Sequence, residues 1–143
     1  MAPSHVLVPL DGSPLADEAL EQALELFDCR VTVLNVVTPI DTTMSEGGIL
    51  EPGAERRENA RERADRLVER ASDRATDVDR TVETAVVTGD PAESILEYVD
   101  EHDVDHVVMG GHGGERNAVA RRLLGTVATT VVGESPVTVT VVR

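Results

Sequence analysis

Five β-branched, apolar stretches alternate with four amphipathic ones along this chain, and few architectures accept that order. Ser4–Leu10, Arg30–Val37, Arg80–Val87, Asp105–Met109 and Val137–Val142 carry strand character. Between them, Leu15, Ala16, Ala19, Leu20, Ala23, Leu24 and Phe27 form one helical face. Ala60, Ala64, Leu67, Val68, Ala71 and Ala75 form a second, and Ala92, Ile95, Leu96 and Val99 a third. Leu123, Leu124, Val127, Ala128, Val131 and Val132 form a fourth. Two helix starts are marked: Ser13 caps ahead of Pro14, and Asp90-Pro91-Ala92-Glu93 supplies a capping Asp, a Pro at the first position and a Glu at the third. The order β-α-β-α-β-α-β-α-β predicts an α/β fold, an open parallel sheet with helices on both faces. The near-continuous apolar strands agree, because such strands are buried on both sides. At 143 residues the chain is expected to be a single domain, 1–143, without internal repeat or linker. The connection Thr38–Gly53 exceeds the usual length and is expected to be a functional or mobile loop.

Charge narrows the chemistry. All thirteen basic residues are Arg, against 27 acidic ones, for a net charge of −14. Without Lys, a P-loop NTPase, a protein kinase and a Schiff-base pyridoxal enzyme are all excluded. The acidic balance argues against a nucleic-acid partner, whose affinity rests on cationic contacts to phosphate. Phe27 and Tyr98 are the only aromatics, so no base-stacking platform can be built. High acid and no Lys suit a halophilic chain that stays soluble in strong salt; the alternative is an ordinary acidic cytosolic protein. Cys29 stands alone, which rules out a disulfide framework and a Cys-based zinc site. The leading apolar stretch, Val6 to Leu10, is too short for a signal peptide, and nothing approaches the roughly 18 apolar residues of a membrane span. A soluble, cytoplasmic protein with no membrane partner is expected. From Glu55 to Arg74 the second helix holds seven Arg and six acids. It reads either as a basic recognition helix or as a solvated face with mixed salt bridges.

In open α/β sheets ligands bind beyond the carboxyl ends of the strands, where the strand order reverses. For the common order 3-2-1-4-5 that point lies between the first and fourth strands. Pro9-Leu10-Asp11-Gly12-Ser13 follows the first, and Met109-Gly110-Gly111-His112-Gly113-Gly114 follows the fourth. Clustered glycines ahead of a helix let backbone N–H groups approach an anion, so the loop could cradle phosphate without Lys; a plain flexible turn is the other reading. Asp11 could accept from an adenine amino group or a ribose hydroxyl, or simply cap the turn. His5, His102 and His106 read as structural or surface groups, which leaves His112 as the one candidate proton shuttle in the site. No Gly-x-Gly-x-x-Gly follows the first strand, and neither His-Glu-x-x-His nor Gly-x-Ser-x-Gly occurs.

At these loops the sequence resembles the universal stress protein family, nearly end to end. The resemblance rests on Val6-Leu7-Val8-Pro9-Leu10-Asp11-Gly12-Ser13, on Val87-Thr88-Gly89-Asp90-Pro91-Ala92, and on Asp105-His106-Val107-Val108-Met109-Gly110-Gly111-His112-Gly113. Gly125-Thr126 and the closing Ser135-Pro136-Val137-Thr138-Val139 complete it. It implies a dimeric, Rossmann-like stress-response protein with a five-stranded sheet in the order 3-2-1-4-5. It also implies ATP or AMP at a site of Pro9, Leu10, Asp11, Val36, Val37, Met109, Gly110, His112, Gly113, Gly125, Thr126 and Val127. Asp11 would meet the adenine, Val36 or Val37 would wall the base, and Gly110, Gly113, Gly125 and the Thr126 hydroxyl would hold the phosphates, with room for a divalent cation on them. ATP-binding members have nine residues between the second glycine and the Gly-Ser or Gly-Thr pair. Here Gly113 and Gly125 are separated by eleven residues. Two functions therefore stay open: a nucleotide-binding stress regulator, or a dimeric stress or interaction protein that binds no nucleotide. No catalytic base or metal cluster is evident, so the protein is not expected to be an enzyme, and any hydrolysis of ATP would be slow and secondary. The last strand is expected to form the homodimer contact. Its valines alternate with Thr138 and Thr140 on a sheet edge, and such an edge is a liability unless paired.

Overall fold

Strand β1 (His5–Pro9) takes the middle of the sheet, where four of its five residues are buried. It is followed by α1 (Pro14–Leu26), β2 (Arg30–Val37), α2 (Gly53–Asp77), β3 (Glu83–Thr88), α3 (Pro91–Glu101), β4 (His106–Gly110), α4 (Thr126–Glu134) and β5 (Thr138–Val142). The structure, a computed structural model, describes residues 2–39, 53–112 and 124–143. All strands are parallel, as the alternating pattern predicts, and they lie in the order β3-β2-β1-β4-β5 that the resemblance implies. The connection expected to be a functional or mobile loop lies, from 40 to 52, outside the described residues, as do Gly113, Gly114 and Leu123.

Alternation of side chains across each strand builds two cores. On one face, Val6, Val8, Val31, Val33 and Val108 pack with Leu15, Leu20 and Ala23 of α1 and with Val68, Ala71 and Ala75 of α2. On the other, Leu7, Leu34, Val107 and Met109 pack with Ile95 and Val99 of α3 and with Ala128 and Val131 of α4. Two helix starts behave as their sequences say. Ser13 Oγ accepts the Ala16 N–H at 3.3 Å, and Asp90 Oδ2 accepts that of Glu93 at 3.0 Å.

Boundaries depart from the apolar pattern where a side chain finds better work off the strand. β3 starts at Glu83, not Arg80. Asp79 turns the chain with φ 58°, Arg80 N–H returns to Ala75 O at 2.8 Å, and the Arg80 guanidinium donates to the carbonyls of Leu24 and Cys29. Arg80 thus ties the end of α2 to the end of α1. α4 starts at Thr126, so Leu124 precedes the helix. β5 starts at Thr138, because Val137 N–H is turned onto Ser135 Oγ at 3.1 Å.

Candidate functional site

β1 and β4 pair only through Val6↔His106 and Leu7↔Val107, yet they run on to Pro9 and Gly110. Above Leu7 they part, and the crevice expected at a switch point opens between them. On the other side β1 stays zipped to β2 through Pro9↔Leu34. The pairing continues past the strand: Leu10 N–H donates to Leu34 O at 2.8 Å, and Asn35 Nδ2 donates to Leu10 O at 2.7 Å. This clamp fixes the Asp11 turn on the rim. There Asp11 Oδ1 accepts the Ser13 N–H at 2.9 Å, and Gly12 takes φ +85°, a conformation that suits glycine. Asp11 is exposed, and among the described residues its second carboxylate oxygen has no partner.

The β4 end is held by close approach. A Cβ on Gly110 would stand 2.9 Å from Leu15 Cβ and 3.0 Å from Leu15 C, so only glycine lets the first turn of α1 lie against β4. Gly111 N–H continues the sheet to Val142 O at 2.8 Å, and Gly111 O accepts the Gly125 N–H at 2.6 Å. The Gly125 N–H is thereby used inside the protein. The residue also admits His112, whose Cα would lie 3.3 Å from an added Cβ. Gly125 is the N-cap of α4, and no side chain caps that helix, in contrast to α1 and α3. Its first-turn N–H groups at Thr126, Val127 and Ala128 have no acceptor among the described residues, and they carry the positive end of the helix dipole.

These parts enclose one cavity of about 1000 Å³, at the upper end of the range for small-molecule sites. Pro9, Leu10, Asp11, Val36, Val37, Met109, Gly110, His112, Gly125, Thr126 and Val127 all line it; Gly113 lies outside the described residues. Four kinds of lining residue carry little signal in the sequence. Asn35 is the clamp described above, and its signal was a lone amide in the apolar run of β2. Thr38 continues β2 onto the rim, Pro91 and Ile95 form an α3 wall, and Arg63, Arg66 and Arg70 come from α2. The arginines were visible only as part of a helix crowded with both charges. The arrangement offers backbone donors, aliphatic walls, three arginines and three exposed carboxylates, Asp11, Glu69 and Asp73, which is equipment for binding a polar molecule that carries both donors and anionic groups. His5, His102 and His106 lie away from the cavity, at the opposite end of the strands. Among the described residues no group of three or more His, Cys, Asp or Glu is placed to hold a metal ion. No helix among them is long and apolar enough to cross a membrane.

The model of the universal stress protein family matches residues 3–143. A universal stress protein of Methanocaldococcus jannaschii is 28% identical, over 96% of this chain and 81% of its own length. Among solved structures, the universal stress protein UspA of Lactobacillus plantarum superposes with a TM-score of 0.80 at 24% identity, covering 100% of this chain and 99% of its own. A family protein of Arabidopsis thaliana with AMP bound gives a TM-score of 0.70 at 21% identity, covering 98% of this chain and 91% of its own.

Proposed function

Because the chain belongs to the universal stress protein family, we propose that it is a homodimeric stress-response protein of the cytoplasm that binds ATP or AMP in the cleft at the switch point. One observation carries this reading. The Asp11 turn, the glycine end of β4 and the uncapped N-terminus of α4 converge on a single cavity. The Arabidopsis structure is of a protein with AMP bound, which supports the same ligand class here. Phosphate takes the N–H groups of Thr126, Val127 and Ala128 and the Thr126 hydroxyl, so the absence of Lys is no obstacle. Gly110 serves by letting α1 come close, and Gly125, whose N–H is already given to Gly111 O, by letting His112 come close. Asp11 accepts from the adenine amino group, with Val36 and Pro9 as aliphatic walls. A divalent cation accompanies the phosphates when the ligand is ATP. The protein acts by binding, as a regulator. Dimerisation uses β5, which stands at the sheet edge.

Calorimetric titration in molar KCl tests the nucleotide. AMP or ATP should release heat, and Asp11→Ala should weaken preference for adenine over other bases more than it weakens affinity for phosphate. If ATP, ADP and AMP all give no heat at millimolar concentration, the non-nucleotide reading takes over, since the long Gly113–Gly125 spacing already favours it. Light scattering tests the dimer, with the exposed Thr138→Asp as the variant that should dissociate it. A monomeric parent would count against this interface.

A further inference from the structure

The arginines of α2 stand in a row that outruns its partners. α1 has 13 residues and α2 has 25, so at about 1.5 Å per residue they measure about 20 and 38 Å. The two helices are level where Gly12 meets Leu67 and where Arg74 reaches Asp17 (3.5 Å) and Glu21 (3.7 Å) of α1. From Ala60 to Asp73, α2 walls the cavity, starting above the first turn of α1 and running down past Leu67. Arg63, Arg66 and Arg70 line that wall, spaced so that they share one side of the helix. All three are exposed, and among the described residues none lies in an ion pair or hydrogen bond. Glu69 and Asp73 line the same wall, yet neither comes within 4 Å of these guanidinium groups. In a chain of net charge −14, three arginines beside a cavity that are in no ion pair among the described residues need a reason.

The cavity therefore has two anion-seeking ends, the α4 N-terminus on the β4 side and the arginine row above β2. Resting on the nucleotide reading above, we propose that the arginine row is a second phosphate subsite, and that the favoured ligand is a dinucleotide spanning the cleft. The first phosphate sits on the α4 turn and the first base beside Asp11. The second phosphate meets Arg63, Arg66 and Arg70, whose planar forks suit phosphate oxygens and whose faces can cover the second base. The volume agrees, since about 1000 Å³ is generous for one nucleotide.

The test compares AMP, ATP and linear 5′-phosphorylated diadenylate on the full chain and on the variant R63A/R66A/R70A, by calorimetry in constant salt. Thermal melts should match, because the three side chains are exposed. In the parent the diadenylate should bind at least about tenfold tighter than AMP. The triple variant should erase that advantage and leave the AMP and ATP affinities within about twofold, while Arg→Lys at the three positions should restore part of it. Equal affinity for AMP and diadenylate in the parent, or an advantage that survives the triple variant, would overturn the inference alone. A variant that loses ATP preference over AMP would also overturn it, because the arginines would then serve one polyphosphate tail. A parent that binds none of the three ligands would overturn the nucleotide reading, and this inference with it.

Discussion

The two ends of the sheet are built on opposite principles. At the C-terminal end, the cleft is faced by glycines, by the first-turn N–H groups of α4, which have no acceptor among the described residues, and by three arginines in no ion pair among them. At the N-terminal end almost every polar group is spent on another. His5 is 3% exposed; its Nδ1 lies 3.0 Å from His102 O and its Nε2 lies 2.8 Å from Thr32 Oγ1. The carbonyl can only accept, so Nδ1 carries a proton. Thr32 Oγ1 donates to Glu83 Oε2 at 3.1 Å, and Arg30 Nη2 reaches the same oxygen at 2.7 Å. Asp105 takes the Ser4 N–H and hydroxyl, both at 2.8 Å, and the His5 N–H at 3.1 Å. Tyr98 stacks on His102 with ring centroids 3.8 Å apart. The contrast is a division of labour: one end ties β1, β2 and β3 to α3, and the other leaves the first-turn N–H groups of α4 without acceptors among the described residues.

The largest effect that would sharpen this contrast is His5→Ala. It removes two buried hydrogen bonds and opens a void, which should cost about 2–4 kcal/mol of stability. Nucleotide affinity should stay within about twofold, since the change lies at the far end of β1. A variant that melts like the parent, or that loses ligand affinity at constant fold, would break the division.

Salt comes next. Outside Glu55–Arg74 the chain has six Arg and 21 acids, so like charges dominate most of the surface. Screening at 1 M salt, with a Debye length of about 3 Å, should relieve that repulsion. The hydrogen-bonded pairs of the N-terminal end are shorter or similar in span and should persist. The melting temperature should therefore climb by several degrees from low salt to molar KCl, about 4 °C for each kcal/mol relieved. A flat or falling curve would remove the halophilic reading.

Acid should act on the same end, in two stages. Burial pushes the His106 imidazole below its ordinary 6.5, against the opposing pull of Asp105. Hydrogen bonding from Arg30 holds Glu83 below its ordinary 4.5, aided by Thr32 and opposed by burial. Burial raises Asp105, but the Ser4 and His5 donors outweigh it and leave the carboxyl below 3.8. Each depressed value means that the unfolded chain binds the proton more readily than the folded one. The stabilisation is therefore complete above the unfolded values and is lost as pH falls. Thermal melts should decline first below about pH 6.5, from His106, and more steeply below about 4.5, from the carboxylates. His106→Gln should flatten the first limb only, and an unchanged first limb would assign it elsewhere.

The smallest change in stability should come from the open end. Thr126→Val removes an exposed hydroxyl whose only expected partner is the ligand. The melt should shift by less than about 0.5 kcal/mol, while affinity for AMP falls by up to about tenfold. A stability loss as large as that of His5→Ala would show that the cleft is a structural element after all.

Residue pattern alone was enough to read the alternation, the parallel pairing, helices on both faces and the two loops that meet at the crevice. Those follow from short-range periodicity, capping residues and a general rule about where parallel sheets leave room. It did not determine how individual donors are used. That Gly125 gives its N–H to Gly111, that Gly110 exists for the approach of Leu15, and that Asn35 clamps Leu10 depend on which segments become neighbours. The same holds for Ser4 and Asp105, about a hundred residues apart in the chain and joined at the N-terminal end. The arginine row makes the point most plainly. In the sequence its charges nearly cancel along the helix, and only the packing of α2 against the sheet and α1 sets three of them along the cleft, in no ion pair among the described residues. Periodicity is a property of neighbours in sequence, whereas partnership is a property of neighbours in space, and only packing brings the second kind together.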